Sequence, residues 1–126
     1  MTKFGLGLLV AAAVASVTPA IAQDAAKGER VFRQCQACHA IGEGAENKIG
    51  PELNNIIGRV PGTHADYKYS PAMVAYGEEH VWDEATLDAY LEAPRKVVNG
   101  TKMAYGGLRR PEQRADLIAY LKTFSE

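Results

Sequence analysis

Five consecutive residues, Cys35-Gln36-Ala37-Cys38-His39, constrain this chain more than any other stretch. Two cysteines three positions apart with a histidine directly after them form the signature of c-type haem attachment. Each thiol can add to one vinyl group of the porphyrin, and the histidine is then held where a ring nitrogen can ligate the iron. The tether is short, because Cys38 is the chain neighbour of His39. Other uses of the two cysteines fit less well. A redox dithiol wants a thioredoxin-like βαβ pattern around it, and none is visible. A structural zinc site wants four ligands, and no second Cys-x-x-Cys or His-x-His pair completes a set. A plain disulfide between the two cysteines is compatible with the count alone.

The rest of the 126-residue chain divides into a leader and one domain. Lys3 precedes an apolar run over residues 4–17, followed by Thr18-Pro19-Ala20-Ile21-Ala22. That order of basic, apolar and small residues reads as a secretory signal peptide over 1–22, cleaved after Ala22. The alternative, an uncleaved membrane anchor, would need roughly 20 apolar residues, and the run is shorter. The domain is then 23–126, exported to the periplasm, where covalent haem attachment is completed in the family named below. Loss of Lys3 lowers the formal charge of −1 by one further unit. Such a balance excludes nucleic acid as a partner. A domain of about 100 residues buries a modest core of its own. A covalently held porphyrin would serve as core material, and the chain without it should fold poorly.

Punctuation along the domain predicts an all-α fold of about four to five helices with long loops. The first helix is expected over residues 24–36, with Val31, Phe32 and Cys35 at helical spacings on one face. Residues 40–62 carry Gly42, Gly44, Gly50-Pro51, Gly58 and Pro61-Gly62 without a sustained period, which reads as loop. A loop that long needs a reason, and wrapping a large flat cofactor is one. Ser70-Pro71 starts a short helix that runs to about Tyr76 and ends at Gly77. Asp83 and Glu84 open another, with Leu87, Tyr90 and Leu91 inward and Pro94 stopping it. After a loop over 99–107, a last helix is expected from Pro111 to Thr123, with Leu117, Ile118, Tyr120 and Leu121 as its apolar stripe.

Haem iron ligated by one histidine has a sixth position to fill. Within the domain the candidates are Met73, Met103, His64 and His80. Met103 lies in a loop far from His39 in sequence, where a thioether is free to reach the iron. Met73 falls within the expected short helix, where core packing is the commoner use of methionine. His64 and His80 stand in polar surroundings and are expected on the solvated surface.

Across essentially the whole domain the sequence resembles the class I cytochromes c, close to mitochondrial cytochrome c and the bacterial cytochromes c2. The resemblance rests on Gly28 and Phe32 before the haem motif, then Gly50-Pro51, Gly58-Arg59 and Tyr67-Lys68-Tyr69-Ser70. Trp82, Leu87, Tyr90-Leu91-Glu92-Ala93-Pro94, Gly100-Thr101-Lys102-Met103 and Asp116-Leu117-Ile118-Ala119-Tyr120-Leu121-Lys122 complete it. It implies one haem c, bonded to Cys35 and Cys38, with His39 and Met103 as axial ligands. It implies further that the Pro51 carbonyl takes the other ring N–H of His39, as outer partners of metal-bound histidines do. Arg59, Tyr69 and Trp82 would surround the haem propionates, and Tyr90 would aim its hydroxyl at the Met103 sulfur. Gly28 and Phe32 would pack against Leu117 and Tyr120 where the first and last helices cross. The chain departs from mitochondrial relatives at Ser70-Pro71-Ala72-Met73, where they carry an asparagine, and at Asn47, where they carry a loop-bracing histidine.

What the resemblance implies for function is a soluble, monomeric, periplasmic one-electron carrier and not an enzyme. It would touch membrane complexes transiently, for example between cytochrome bc1 and a reaction centre, oxidase or reductase. Alternatives are a dedicated haem subunit of a periplasmic dehydrogenase or reductase, or a haem catalyst or sensor with an open sixth site. Arg33, Lys48, Arg95, Lys96, Lys102, Arg109 and Arg110 would ring the haem edge, with Glu78, Glu79, Asp83, Glu84 and Asp88 elsewhere. That asymmetry would steer encounter with redox partners bearing acidic docking surfaces. Replacing Lys102 and Arg109 together by Glu should slow low-salt electron transfer by about tenfold and flatten its salt dependence. Stopped-flow rates against an acidic redox partner check this, and an unchanged bimolecular rate contradicts it.

Overall fold

The computed structural model describes residues 2–5, 7–15 and 23–126. The cleavage point expected after Ala22 lies outside the described residues. Residues 2–5 and 7–15 form no regular secondary structure and are exposed. No helix among the described residues is long and apolar enough to cross a membrane.

Five helices and no strand appear among the described residues: α1 (Ala25–Phe32), α2 (Pro71–Gly77), α3 (Glu84–Glu92), α4 (Pro94–Val97) and α5 (Pro111–Lys122). Their starts follow from local chemistry. Asp24 caps α1 by accepting from the amides of Ala26 and Lys27, Ser70 caps α2 at Met73 N, and Asp83 caps α3 at Thr86 N. Proline opens α2, α4 and α5, where a missing amide leaves no helical bond unmade.

Two elements differ from expectation. The first helix ends at Phe32, short of Gln36, because the chain tightens into successive turns. Arg33, Gln34 and Cys35 N–H groups bond carbonyls three residues back, at Arg30, Val31 and Phe32. Those turns carry the haem motif off the helix and set Cys35, Cys38 and His39 along one cavity. The other difference is α4, a single turn begun by the proline that was expected only to stop α3. The expected loop over 40–62 contains no helix, and Asn54 clasps it: its Oδ1 accepts from Gly42 N at 2.8 Å and its Nδ2 donates to Gly42 O at 2.8 Å.

The helices meet where α1 crosses α5. Phe32 and Tyr120 lie with ring centroids 5.5 Å apart, and Asp24 N donates to Asp116 Oδ1 at 2.9 Å. Gly28 makes the crossing close. A Cβ at that position would stand 1.9 Å from Asp116 O and 2.8 Å from Tyr120 Cβ. The buried core continues from this crossing through Leu117, Ile118 and Leu121 to Leu87, Leu91, Trp82 and Tyr90 of the neighbouring segments. Fixing α1 against α5 fixes the position of the motif that follows α1. Gly28→Ala should therefore destabilise by about 3 kcal/mol, the upper part of the usual overpacking cost, since the obstacle is backbone. Guanidinium unfolding of the holoprotein measures this; a change under about 0.5 kcal/mol contradicts it.

Candidate haem site

His39 is held from three directions. Its backbone N–H donates to Cys35 O at 2.8 Å, its ring Nδ1 lies 2.6 Å from Pro51 O, and Gly50 N reaches back to Cys38 O at 2.8 Å. Gly50 must be glycine for this to form, because a Cβ there would come within 2.4 Å of the imidazole. A carbonyl only accepts, so Nδ1 carries the proton and donates it to Pro51. In the neutral ring Nε2 is then a bare lone pair. Burial lowers the imidazole pKa below its ordinary value, Lys48 adds to that, and the Pro51 bond partly opposes it. The ring is thus kept in the form that ligates a metal.

Burial pushes the Cys35 thiol up to about 11, with Cys38 adding to the rise. A redox dithiol works through a depressed thiol pKa, so this environment disfavours that use. No disulfide joins Cys35 and Cys38. No group of three or more His, Cys, Asp or Glu able to hold a metal ion occurs among the described residues.

Cys35, Cys38 and His39 line a cavity of about 390 Å³, within the range of cofactor sites. Its other lining includes Leu87, Leu91, Leu117 and Leu121 from the core, Ile49, Gly50 and Pro51 from the loop, and Tyr69, Trp82 and Tyr90. The 99–107 loop contributes Thr101, Lys102, Met103, Ala104 and Tyr105. Met103 therefore shares one apolar cavity with His39 and both thiols, although it is far away in sequence. So does Met73, which α2 buries. His64 and His80 do not line the cavity. Both are half-buried: His64 Nε2 pairs with Glu52 Oε1 at 3.0 Å with 19% of its side chain exposed. His80 stacks on Tyr76 at 3.8 Å and its Nδ1 lies 2.8 Å from Tyr76 O.

The residues present fit a haem. Thiols, a ligand-ready imidazole and a thioether converge on an apolar, roomy cavity. Arg59 adds a second mark: one guanidinium nitrogen donates to Asn54 O, while the other, Nη1, is buried without a protein partner. A buried donor left unmade is costly, and a propionate is a group that would satisfy it. Arg59 itself does not line the cavity; it stands close enough to Tyr69 to pull that phenol's pKa down against the larger upward effect of burial.

Two expectations from the resemblance meet different partners here. The Tyr90 hydroxyl lies 2.7 Å from Thr101 Oγ1, and that same oxygen accepts from Met103 N at 3.3 Å. Tyr90 thus meets the Met103 loop through Thr101. Asn47 braces the loop as a histidine would, with its Nδ2 on Ala65 O at 3.2 Å and its Oδ1 accepting from Glu52 N at 2.9 Å. One residue escaped the sequence reading altogether. Arg114 is 5% exposed and donates to Asp88 Oδ1 at 2.8 Å, Leu108 O at 2.9 Å and Arg109 O at 3.0 Å. It ties the far end of the Met103 loop to α3. An arginine in an amphipathic helix gives no local sign of burial, since its partners come from other segments.

The Cytochrome c family model matches residues 25–125. The cytochrome c2 of Agrobacterium tumefaciens (strain II Chrys) is 56% identical over 99 residues, spanning 78% of this chain and 89% of that protein. That of Blastochloris viridis is 46% identical over 125 residues, spanning 99% of this chain and 95% of its own. The solved structure of cytochrome c2 from Rhodospirillum centenum superposes with a TM-score of 0.77 at 38% identity, covering 82% of this chain and 99% of that one.

Thr101→Val should leave the buried Tyr90 hydroxyl unpaired and remove the acceptor for Met103 N. A loss of about 1–3 kcal/mol in holoprotein stability is expected. Denaturant unfolding checks it, with Tyr90→Phe in the same background restoring part of the loss.

Proposed function

We propose a function from one premise: the chain belongs to the cytochrome c family, whose domain carries one covalently bound haem. It is a soluble one-electron carrier of the periplasm, exported by the leader over 1–22 and released after Ala22. It collects electrons at one membrane complex, such as cytochrome bc1, and delivers them to a reaction centre, oxidase or reductase. When bound, the haem supplies a one-electron couple between ferric and ferrous iron.

The observation that carries this reading is the shared cavity of His39, Met103, Cys35 and Cys38. Cys35 and Cys38 hold the porphyrin by thioether bonds. His39 presents Nε2 because Pro51 holds the Nδ1 proton. Met103 would hold the iron from the 99–107 loop, a weak thioether donor that with the apolar lining would favour the less charged iron state and a high potential. With His39 and Met103 both holding the iron, no position would be left for a substrate, which supports a carrier and not an enzyme. Tyr69 and Trp82 in the lining, with Arg59 beside them, would hold the propionates, and the spare Nη1 of Arg59 is a donor available to such a group.

Docking fits the same reading. Arg33, Lys48, Arg95, Lys96, Lys102, Arg109 and Arg110 are all exposed, and Lys102 lines the cavity itself. Such a surface suits brief encounters with acidic partners by a monomer, steered more than bound.

The test is an optical redox titration of the purified periplasmic protein with its Met103→Ala variant. A low-spin spectrum, a far-red sulfur-to-iron band in the oxidised state and a single high-potential one-electron wave are expected. In the variant the band should vanish and cyanide should bind readily. A variant still ligated by protein sulfur assigns the position to Met73, and a high-spin native protein overturns the carrier reading.

A further inference from the structure

The loop that carries Met103 is weakly held by its own backbone. Among the described residues, no backbone-to-backbone hydrogen bond begins or ends within residues 102–107. The ties lie at the ends: Thr101 N on Val98 O at 3.0 Å and Leu108 N on Leu91 O at 2.8 Å, with Arg114 holding the carbonyls of Leu108 and Arg109. Lys102 Nζ reaches Lys68 O at 2.7 Å, and Met103 N reaches Thr101 Oγ1 at 3.3 Å. Beyond Met103, the side-chain tie within this stretch is Tyr105, whose hydroxyl donates to Gln34 Oε1 at 2.9 Å.

That bond joins two particular segments. Gln34 directly precedes Cys35, in the turns that present both thiols and His39. Tyr105 stands two residues after Met103. Both residues line the cavity, Gln34 is exposed and the bond lies at the surface, which puts it on the cavity rim. We propose that Gln34 and Tyr105 form a clasp that positions Met103, linking the segment that bears one axial ligand to the segment that bears the other. The proposal rests on the reading of Met103 as an iron ligand and adds what keeps it in place.

Such a clasp acts by restricting freedom more than by bond strength. A stretch without backbone bonds has many conformers, and holding the thioether on the metal selects few of them. A tie two residues away removes many of the competing conformers. Water competes for an exposed hydrogen bond, so its net worth is that of an ordinary one, about a fivefold effect on an opening equilibrium. Tyrosine donates and the amide oxygen accepts, which makes the chemistry of each partner separately testable. A carboxylate at position 34 still accepts; a leucine does not.

The experiment uses the ferric holoprotein and neutral imidazole, whose entry reports transient departure of Met103. Tyr105→Phe and Gln34→Leu should each speed entry about fivefold. The double variant should be no faster than either single one, and Gln34→Glu should stay near the native rate. Amide exchange within residues 102–107 should quicken in both single variants, while the guanidinium midpoint of the whole protein holds. Unchanged entry in Tyr105→Phe, or additive effects in the double variant, overturns the clasp. The Met103 reading is judged separately, by the far-red band of the native protein and its loss in Met103→Ala. If that band is absent, both fail; if it is present while Tyr105→Phe is silent, only the clasp fails.

Discussion

The hydrogen bond from His39 Nδ1 to Pro51 O, at 2.6 Å, is the constraint on which the rest of this structure turns. It decides which ring nitrogen bears the proton, and so which one keeps its lone pair free. It also decides the path of the chain around it. The imidazole can sit there only because position 50 has no side chain, and the 40–62 loop can follow that path only because Asn54 and Asn47 brace it. A residue-level requirement of metal chemistry is thereby converted into a long loop with a defined course.

The two side chains proposed to hold the iron, His39 and Met103, are supported in opposite ways. His39 follows α1, and α1 is locked to α5 by a contact so close that Gly28 must lack a Cβ. Backbone therefore sets its position. Met103 is placed by side chains: Thr101 and Tyr90 at its start, Arg114 at its far end, and Tyr105 on Gln34 at the rim. Side-chain ties are individually weak and exposed ones are contested by water. His39 is thus held by backbone contacts, while Met103 lies in a segment with the few backbone bonds expected of low local stability.

Much of the architecture was legible because its signals are local. Asp24, Ser70 and Asp83 cap helices by bonds to amides two or three residues away. Proline at the start of α2 and α5 acts through its own ring, and the thiol spacing acts over five residues. Where the reading went astray, the cause was non-local. Nothing in residues 33–36 forbids a helix, yet α1 ends at Phe32 and tight turns follow it. His64 and His80 looked solvated because Glu52 and Tyr76, which shelter them, are not signalled by spacing. Arg114 was passed over since Asp88 lies on another helix.

The sequence by itself determined the chemistry: two thiols, an imidazole beside them, a thioether in a loop and caps that delimit helices. These depend on residue type and short separations, which the linear chain displays. Only the tertiary structure decided that Met103 and Met73 both reach the cavity, that Tyr90 meets the loop through Thr101, and that Gln34 joins Tyr105 across 71 positions. Such pairings come from where packing of α1 against α5 leaves each segment. No local preference encodes a distance between residues that only burial of a shared core brings together.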